Sequence, residues 1–195
     1  MNEYFAQNLE NLKKIALSQE VSLGAEEVII DVNFEDLLTA IGNLKNNSIS
    51  KARCLIGIFG VHYPHKISEF QVEYLLLNLE DNVRFRVRVN CAQNDKIPSI
   101  ASVFEGAVWY EREAFDMFGI NFENAPDLRR ILTDYNFTNH PLRKDFPLIG
   151  YEEVRYDPVT QSVEKYPTNL SQEYRNFDYE TPWNTEYLQN QIKKS

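Results

Sequence analysis

Apolar residues recur at Phe5, Leu9, Leu12, Ile15 and Ala16, a spacing that predicts an amphipathic helix over Tyr4–Leu17. Glu26–Val32 (EEVIIDV) reads as a strand. Asn33 is placed to cap a helix over Phe34–Lys45, with Leu37, Leu38, Ile41 and Leu44 toward a core. Lys51–Phe59 (KARCLIGIF) is apolar on both sides, which suits a central strand, and GVHYPHKIS then turns the chain. Phe70–Leu79 and Val83–Asn90 read as strands joined through Glu80-Asp81-Asn82, a hairpin. In the second, Val83, Phe85, Val87 and Val89 alternate with Arg84, Arg86 and Arg88. A period of two sets the three guanidiniums on one face, where acidic residues of neighbouring strands such as Glu73 are the expected partners. The competing use of that stripe is a docking face for an acidic partner. Helix, strand, helix, three strands and further helices predict an α+β, two-layer domain with a mixed sheet and flanking helices.

The pattern changes at Trp109. A 3.6-residue period puts Val108, Phe115 and Phe118 on one stripe of a short helix, flanked by Tyr110, Ala114 and Met117. Trp109, Arg112, Glu113 and Asp116 fall on the other side, with Arg112 and Asp116 spaced i,i+4 for pairing. Glu111 lies beside the apolar stripe. A polar group buried there without a partner would cost roughly 2–7 kcal/mol, and Arg129, Arg130 and Arg143 are the candidate partners. Gly119 can end the helix in the left-handed region. Beyond it, Ala125-Pro126-Asp127 could open a second short helix through Leu132, and Asn136 and Asn139 mark tight turns. His140, Arg143, Lys144 and Asp145 share a turn-rich, Pro-punctuated loop. A loop of this length in a small domain is usually functional or packed on a partner.

Composition narrows the classes. The 195 residues carry 29 acidic and 20 basic side chains, a net charge of −9, which disfavours a phosphate-backbone binder. No window approaches the ~20 apolar residues of a membrane span, and the first residues lack the apolar run of a signal peptide. Two cysteines, Cys54 and Cys91, suit a reducing compartment. No P-loop or G-x-G-x-x-G occurs, cysteine spacing does not fit zinc or iron–sulfur ligation, and His62 with His65 lacks a third ligand. The residues by themselves indicate no cofactor. From Gly150 the chain is rich in tyrosine, poor in leucine and isoleucine, and interrupted by Pro158, Pro167 and Pro182. Aromatics spaced along a polar extended segment suit anchors on another protein, with Tyr174, Phe177, Tyr179 and Trp183 the strongest. The expected division is therefore a domain over 1–149 and a partner-wrapping tail over 150–195.

Three blocks, EREAFDMFGINF, PDLRRILTDYNF and HPLRKDFPLIGYEEVRYD, closely resemble in sequence and order the signature region of the 30 kDa (C-type) subunit of proton-pumping NADH:quinone oxidoreductase, respiratory complex I. The resemblance is dense over Trp109–Asp157 and weaker through SQEYRNFDYETPW. Ala125 stands where the family commonly has His or Lys, Asn139 where a Gly is usual, and His62 where an acidic residue is usual. The resemblance implies a non-catalytic assembly subunit of the peripheral arm, packed on the 49 kDa (D-type) subunit that forms the quinone cavity. FMN, iron–sulfur clusters and quinone would belong to other subunits. The complex would hold the chain on an inner membrane, on the mitochondrial matrix or bacterial cytoplasmic side, without insertion. Glu111, Arg112, Glu113, Asp116, Asp127, Arg129, Arg130, His140, Arg143, Lys144 and Asp145 would then form an interface or ion-pair network. Two further readings compete. One is the equivalent subunit of a related membrane-bound hydrogenase or plastoquinone-linked dehydrogenase. The other is an independent enzyme using Glu111, Glu113 and Asp116 for acid–base work.

Overall fold

The computed structural model describes residues 8–18, 20–24 and 27–172, and the chain divides into two compact units, Met1–Phe146 and Pro147–Ser195. In the first, helix α1 (Leu9–Ile15) is followed by β1 (Glu20–Leu23), β2 (Glu27–Asp31) and helix α2 (Leu37–Asn46). Strands β3 (Cys54–His62), β4 (Phe70–Asn78), β5 (Val83–Cys91) and β6 (Lys96–Pro98) come next, then helix α3 (Ala107–Phe118) and β7 (Asn121–Glu123). Five strands form a sheet in the order β1-β2-β5-β4-β3. Only the β2–β5 pairing in it is parallel, so the sheet is mixed, as the element order predicts.

Strict alternation decides which face is covered. Val28 and Ile30 of β2, Val72 and Leu76 of β4, and Phe85 and Val87 of β5 are fully buried in one core with Leu37, Ile41 and Leu44 of α2 and Leu12 of α1. Each such side chain stabilises the fold by about 1.5–3 kcal/mol relative to exposure. The opposite face carries the arginines. Arg86 reaches Glu27 at 3.0 Å and Glu73 at 2.9 Å, and Arg88 grips Asp31 through two bonds of 2.8 and 2.5 Å. The stripe is thus largely neutralised within its own sheet. Partly exposed pairs of this kind contribute about 1 kcal/mol or less each. Arg84 is exposed and forms no ion pair among the described residues.

Several local expectations are corrected. The strand foreseen over Lys51–Phe59 is β3, at the edge rather than the centre of the sheet. Its two-sided apolarity reflects an open outer face: Ile56 is 38% and Phe59 50% exposed, while Ile58 is buried. Helix α2 starts at Leu37 with Asp36 as its cap, three residues later than Asn33 suggested, and Leu38 is partly exposed. The hairpin β4–β5 forms as predicted. Asn78 accepts the N–H groups of Glu80 and Asp81 through its side-chain oxygen, and Asn82 takes φ 52°. Both cysteines are free thiols, and burial pushes Cys91 up to about 12.

The second unit contains a hairpin the tyrosine-rich composition did not announce. β8 (Glu152–Asp157) pairs antiparallel with β9 (Ser162–Pro167), and Gln161 turns the chain at φ 52°. Tyr174, Phe177, Tyr179 and Trp183 lie outside the described residues. Among the described residues no helix is long and apolar enough to cross a membrane.

Candidate functional site

The predicted helix over the first signature block is α3, and Gly119 ends it at φ 75° as expected. Only glycine fits there for a second reason. A Cβ would run into Arg143 Nη2 and stand 2.6 Å from His140 Nε2, so the HPLRKD block lies directly on the helix terminus. A helix end leaves its last four carbonyls without intrahelical partners. Here Phe115 O accepts from Gly119 N–H at 2.8 Å, and Asp116 O faces His140 Nδ1 at 3.0 Å. Met117 O accepts from Leu142 N–H at 3.1 Å, and Phe118 O from Arg143 Nε at 2.5 Å. The distant block is the cap of α3. Because a carbonyl only accepts, the His140 proton sits on Nδ1. Burial, with Arg143 and Arg130 nearby, lowers His140 below its ordinary value despite that bond.

Asp116 organises the other half of the loop. It is fully buried and accepts five hydrogen bonds: Arg130 Nη1 at 2.7 Å, the N–H groups of Ile131, Leu132 and Thr133 at 3.1, 2.7 and 2.9 Å, and Thr133 Oγ1 at 2.5 Å. Burial alone would raise this carboxyl. The Thr133 hydroxyl, the backbone donors and the Arg130 guanidinium outweigh it and hold Asp116 well below the usual carboxylate range. Arg112 completes the clamp, donating to the carbonyls of Arg129 at 2.9 Å and Arg130 at 3.0 Å, lying 3.8 Å from Asp127 and resting on the Trp109 ring. The i,i+4 pair between Arg112 and Asp116 therefore does not form. Each is engaged by the loop instead.

The same bonds explain why no second helix runs from Ala125 to Leu132. Asp127 Oδ1 takes the Arg129 N–H at 2.9 Å, and side chains of α3 take the following N–H and C=O groups, so the backbone is satisfied without i→i+4 bonds. Nor do Asn136 and Asn139 adopt positive φ. Asn124 does, at 58°.

Glu111 is placed as the helix period required, fully buried, but its partners are not arginines. Ser99 Oγ donates to one oxygen at 2.7 Å and the Ile100 N–H to the other at 2.8 Å. Burial raises its pKa, and these two donors only moderate the rise. Arg129 is exposed and paired with its neighbour Asp127, holding that carboxyl down to about 2. Lys144 contributes its backbone N–H, at 2.9 Å, to Nδ1 of buried His62, which stacks on Phe70, while exposed Asp145 lies 3.8 Å from the same nitrogen. Glu113 is exposed and outside the cluster. The three carboxylates considered for acid–base work thus meet three different surroundings. Ser99, Thr133 and His62 were missed as network members. Only the Ser99–Ile100 turn following Pro98 offered a local signal, and nothing local pairs His62 with Lys144. Among the described residues no group of three His, Cys, Asp or Glu could hold a metal ion.

The pinned loop exposes three large apolar side chains, Leu132 at 64%, Tyr135 at 77% and Leu142 at 54%, among the exposed charges of Arg129, Asp134, Lys144 and Asp145, and Trp109 on α3 is 61% exposed. The class this defines is an α+β module whose irregular loop is locked to one helix. The same fold occurs in a chain of the membrane-bound sulfane sulfur reductase, an archaeal respiratory membrane complex, with a TM-score of 0.64 at 21% identity, covering 74% of this chain and 86% of that one. Residues 30–152 match the family described as respiratory-chain NADH dehydrogenase, 30 Kd subunit, and the chain belongs to that family. Among its relatives is the C 1 subunit of NADH-quinone oxidoreductase from Rhizobium meliloti (strain 1021), 44% identical over 96% of this chain and 93% of the relative. The C-type subunit of the same oxidoreductase from Ruegeria pomeroyi is 46% identical over 86% of this chain and 82% of its own length, and that from Rhodospirillum rubrum 37% identical over 100% and 94%. These matches favour the respiratory NADH dehydrogenase over the hydrogenase and plastoquinone alternatives.

Proposed function

We propose that this chain serves its NADH:quinone oxidoreductase as a non-catalytic bracket of the peripheral arm. It seats on the 49 kDa subunit that forms the quinone cavity, and other subunits hold FMN, the iron–sulfur clusters and quinone. The carrying observation is the division of labour in the loop over 124–146. Two of its arginines turn inward, Arg130 onto Asp116 and Arg143 onto the Phe118 carbonyl, and Arg112 and Asp116 of the helix take its backbone groups, while Arg129, Asp134, Lys144 and Asp145 stay exposed. Its large apolar side chains Leu132, Tyr135 and Leu142 turn outward. A catalytic loop needs polar groups converging on a space for substrate. A docking loop needs a rigid backbone and exposed apolar anchors, and this loop has them. The complex would carry the chain on the inner membrane, at the matrix or bacterial cytoplasmic side.

The test has two arms. The purified chain, given NADH and a quinone analogue, is expected to show no turnover above the blank. The chain truncated after residue 149, which removes hairpin β8–β9 whole, is expected to remain folded and soluble yet fail to comigrate with the complex on a native gel. Turnover by the single chain, or full comigration of the truncated one, would overturn the reading.

A further inference from the structure

Strand β4 turns Phe70, Val72, Tyr74 and Leu76 into the core, and only Tyr74 among them carries a polar atom. Tyr74 is fully buried, and among the described residues its hydroxyl has no hydrogen-bond partner. Buried phenols usually find one. Phenylalanine would fill the same space without stranding an O–H, whereas a buried hydroxyl left unbonded costs the fold the loss of its hydration.

Two other buried polar groups face this phenol. Its pKa stands well above the ordinary value, first through burial and then through the nearby Glu111 carboxylate of α3 and Cys91 thiol of β5. Each Glu111 oxygen accepts one bond in the structure, from Ser99 Oγ or from the Ile100 N–H. A carboxylate has about four acceptor sites, and a protonated carboxyl still keeps spare acceptor capacity. The cluster thus holds an unused donor on Tyr74 and an unused acceptor on Glu111 that do not reach each other. Water fits that set, accepting from the phenol and donating to the carboxyl, with the thiol as a weaker third partner. A metal ion does not fit, because no group of three His, Cys, Asp or Glu among the described residues could hold one. Ser99 also lines a surface cleft of about 410 Å³ with Pro98 and Val108, which brings solvent up to the Glu111 side. We propose that one buried water molecule binds between Tyr74 Oη and the Glu111 carboxyl, joining α3 to β4 inside the core. The site belongs to this chain alone and does not rest on the assembly reading above.

The test has a structural and a thermodynamic arm. A crystal structure of the full-length chain, at a resolution that shows ordered water, is expected to place one water about 2.5–3.0 Å from both Tyr74 Oη and a Glu111 oxygen. A direct Tyr74–Glu111 bond, or a phenol surrounded only by carbon, overturns the inference. In parallel, Tyr74→Phe in the full-length chain is expected to lower the folding equilibrium constant about fivefold by urea unfolding, the loss of one net hydrogen bond. A hydroxyl without a partner predicts the opposite sign, because its removal relieves the core. An unchanged or raised constant therefore overturns the inference as well.

Discussion

Asp116→Asn is the sharpest probe of the loop, because it keeps shape and removes charge. The carboxylate accepts three backbone N–H groups on Oδ2 and the Arg130 guanidinium with the Thr133 hydroxyl on Oδ1. An amide does best with its oxygen toward the three N–H groups and its nitrogen toward Thr133, whose hydroxyl can turn to accept. That orientation sets two donors, the new amide nitrogen and Arg130, face to face. Removing one member of a buried charge pair costs about 3–5 kcal/mol. Arg130 keeps its bond to the Asn139 carbonyl, so the lower end, about 3 kcal/mol, is expected, a drop in Tm of roughly 6–12 °C for a protein of this size. The loss should also be local. Hydrogen exchange followed by mass spectrometry should show faster exchange at Ile131, Leu132 and Thr133 before the sheet is affected. The sign with pH follows from the depressed carboxyl. The stabilisation is complete above the unfolded-state value of about 3.9, and disappears as pH falls through the lower folded value. Wild type and the Asp116→Asn variant should therefore differ by a constant amount from pH 7 down to about 4, then converge. An unchanged melt with unchanged protection at 131–133 would refute the claim that this carboxylate pins the loop.

Gly119→Ala meets both positive φ and the crowding side chains of Arg143 and His140, so a loss of about 2 kcal/mol or more by urea unfolding is expected. Arg129→Ala, breaking an exposed pair, should cost about 1 kcal/mol or less, whereas Arg130→Ala should approach Asp116→Asn in the same melt. The double mutant Asp116→Asn/Arg130→Ala should be far less than additive. Glu111→Ala strands the Ser99 hydroxyl and the Ile100 N–H, at about 1–3 kcal/mol each, while Glu111→Gln keeps an acceptor for the N–H and should stay nearer wild type. Since the Glu111 pKa is raised on folding, its contribution is most favourable below the unfolded value of about 4.3 and declines as pH rises through the folded one. Glu111→Gln should therefore gain on wild type as pH rises from about 4.3 through the raised folded value in the same unfolding assay.

How far the chain could be read in one dimension depended on the range of the forces involved. Periodicity is local, so α3, the hairpin β4–β5 and the arginine face with its Glu73 partner were legible, as was Gly119, whose role is set by its own φ. The three signature blocks carried the family in their wording. Partner choice inside those blocks was not legible. Arg112 and Asp116 have ideal helical spacing yet ignore each other. A guanidinium has five donors and a carboxylate two acceptor oxygens, and the returning loop offers each more bonds than its neighbour does. Glu111 found a hydroxyl and a backbone N–H because the turn at Ser99–Ile100, not an arginine, lies beside it. Likewise the edge position of β3 could not be told from an apolar run, which specifies that a strand exists but not how many neighbours it has. Composition and period determine what must be buried or paired. Only the folded chain, by bringing residues 131–144 onto the end of one helix, decides with whom.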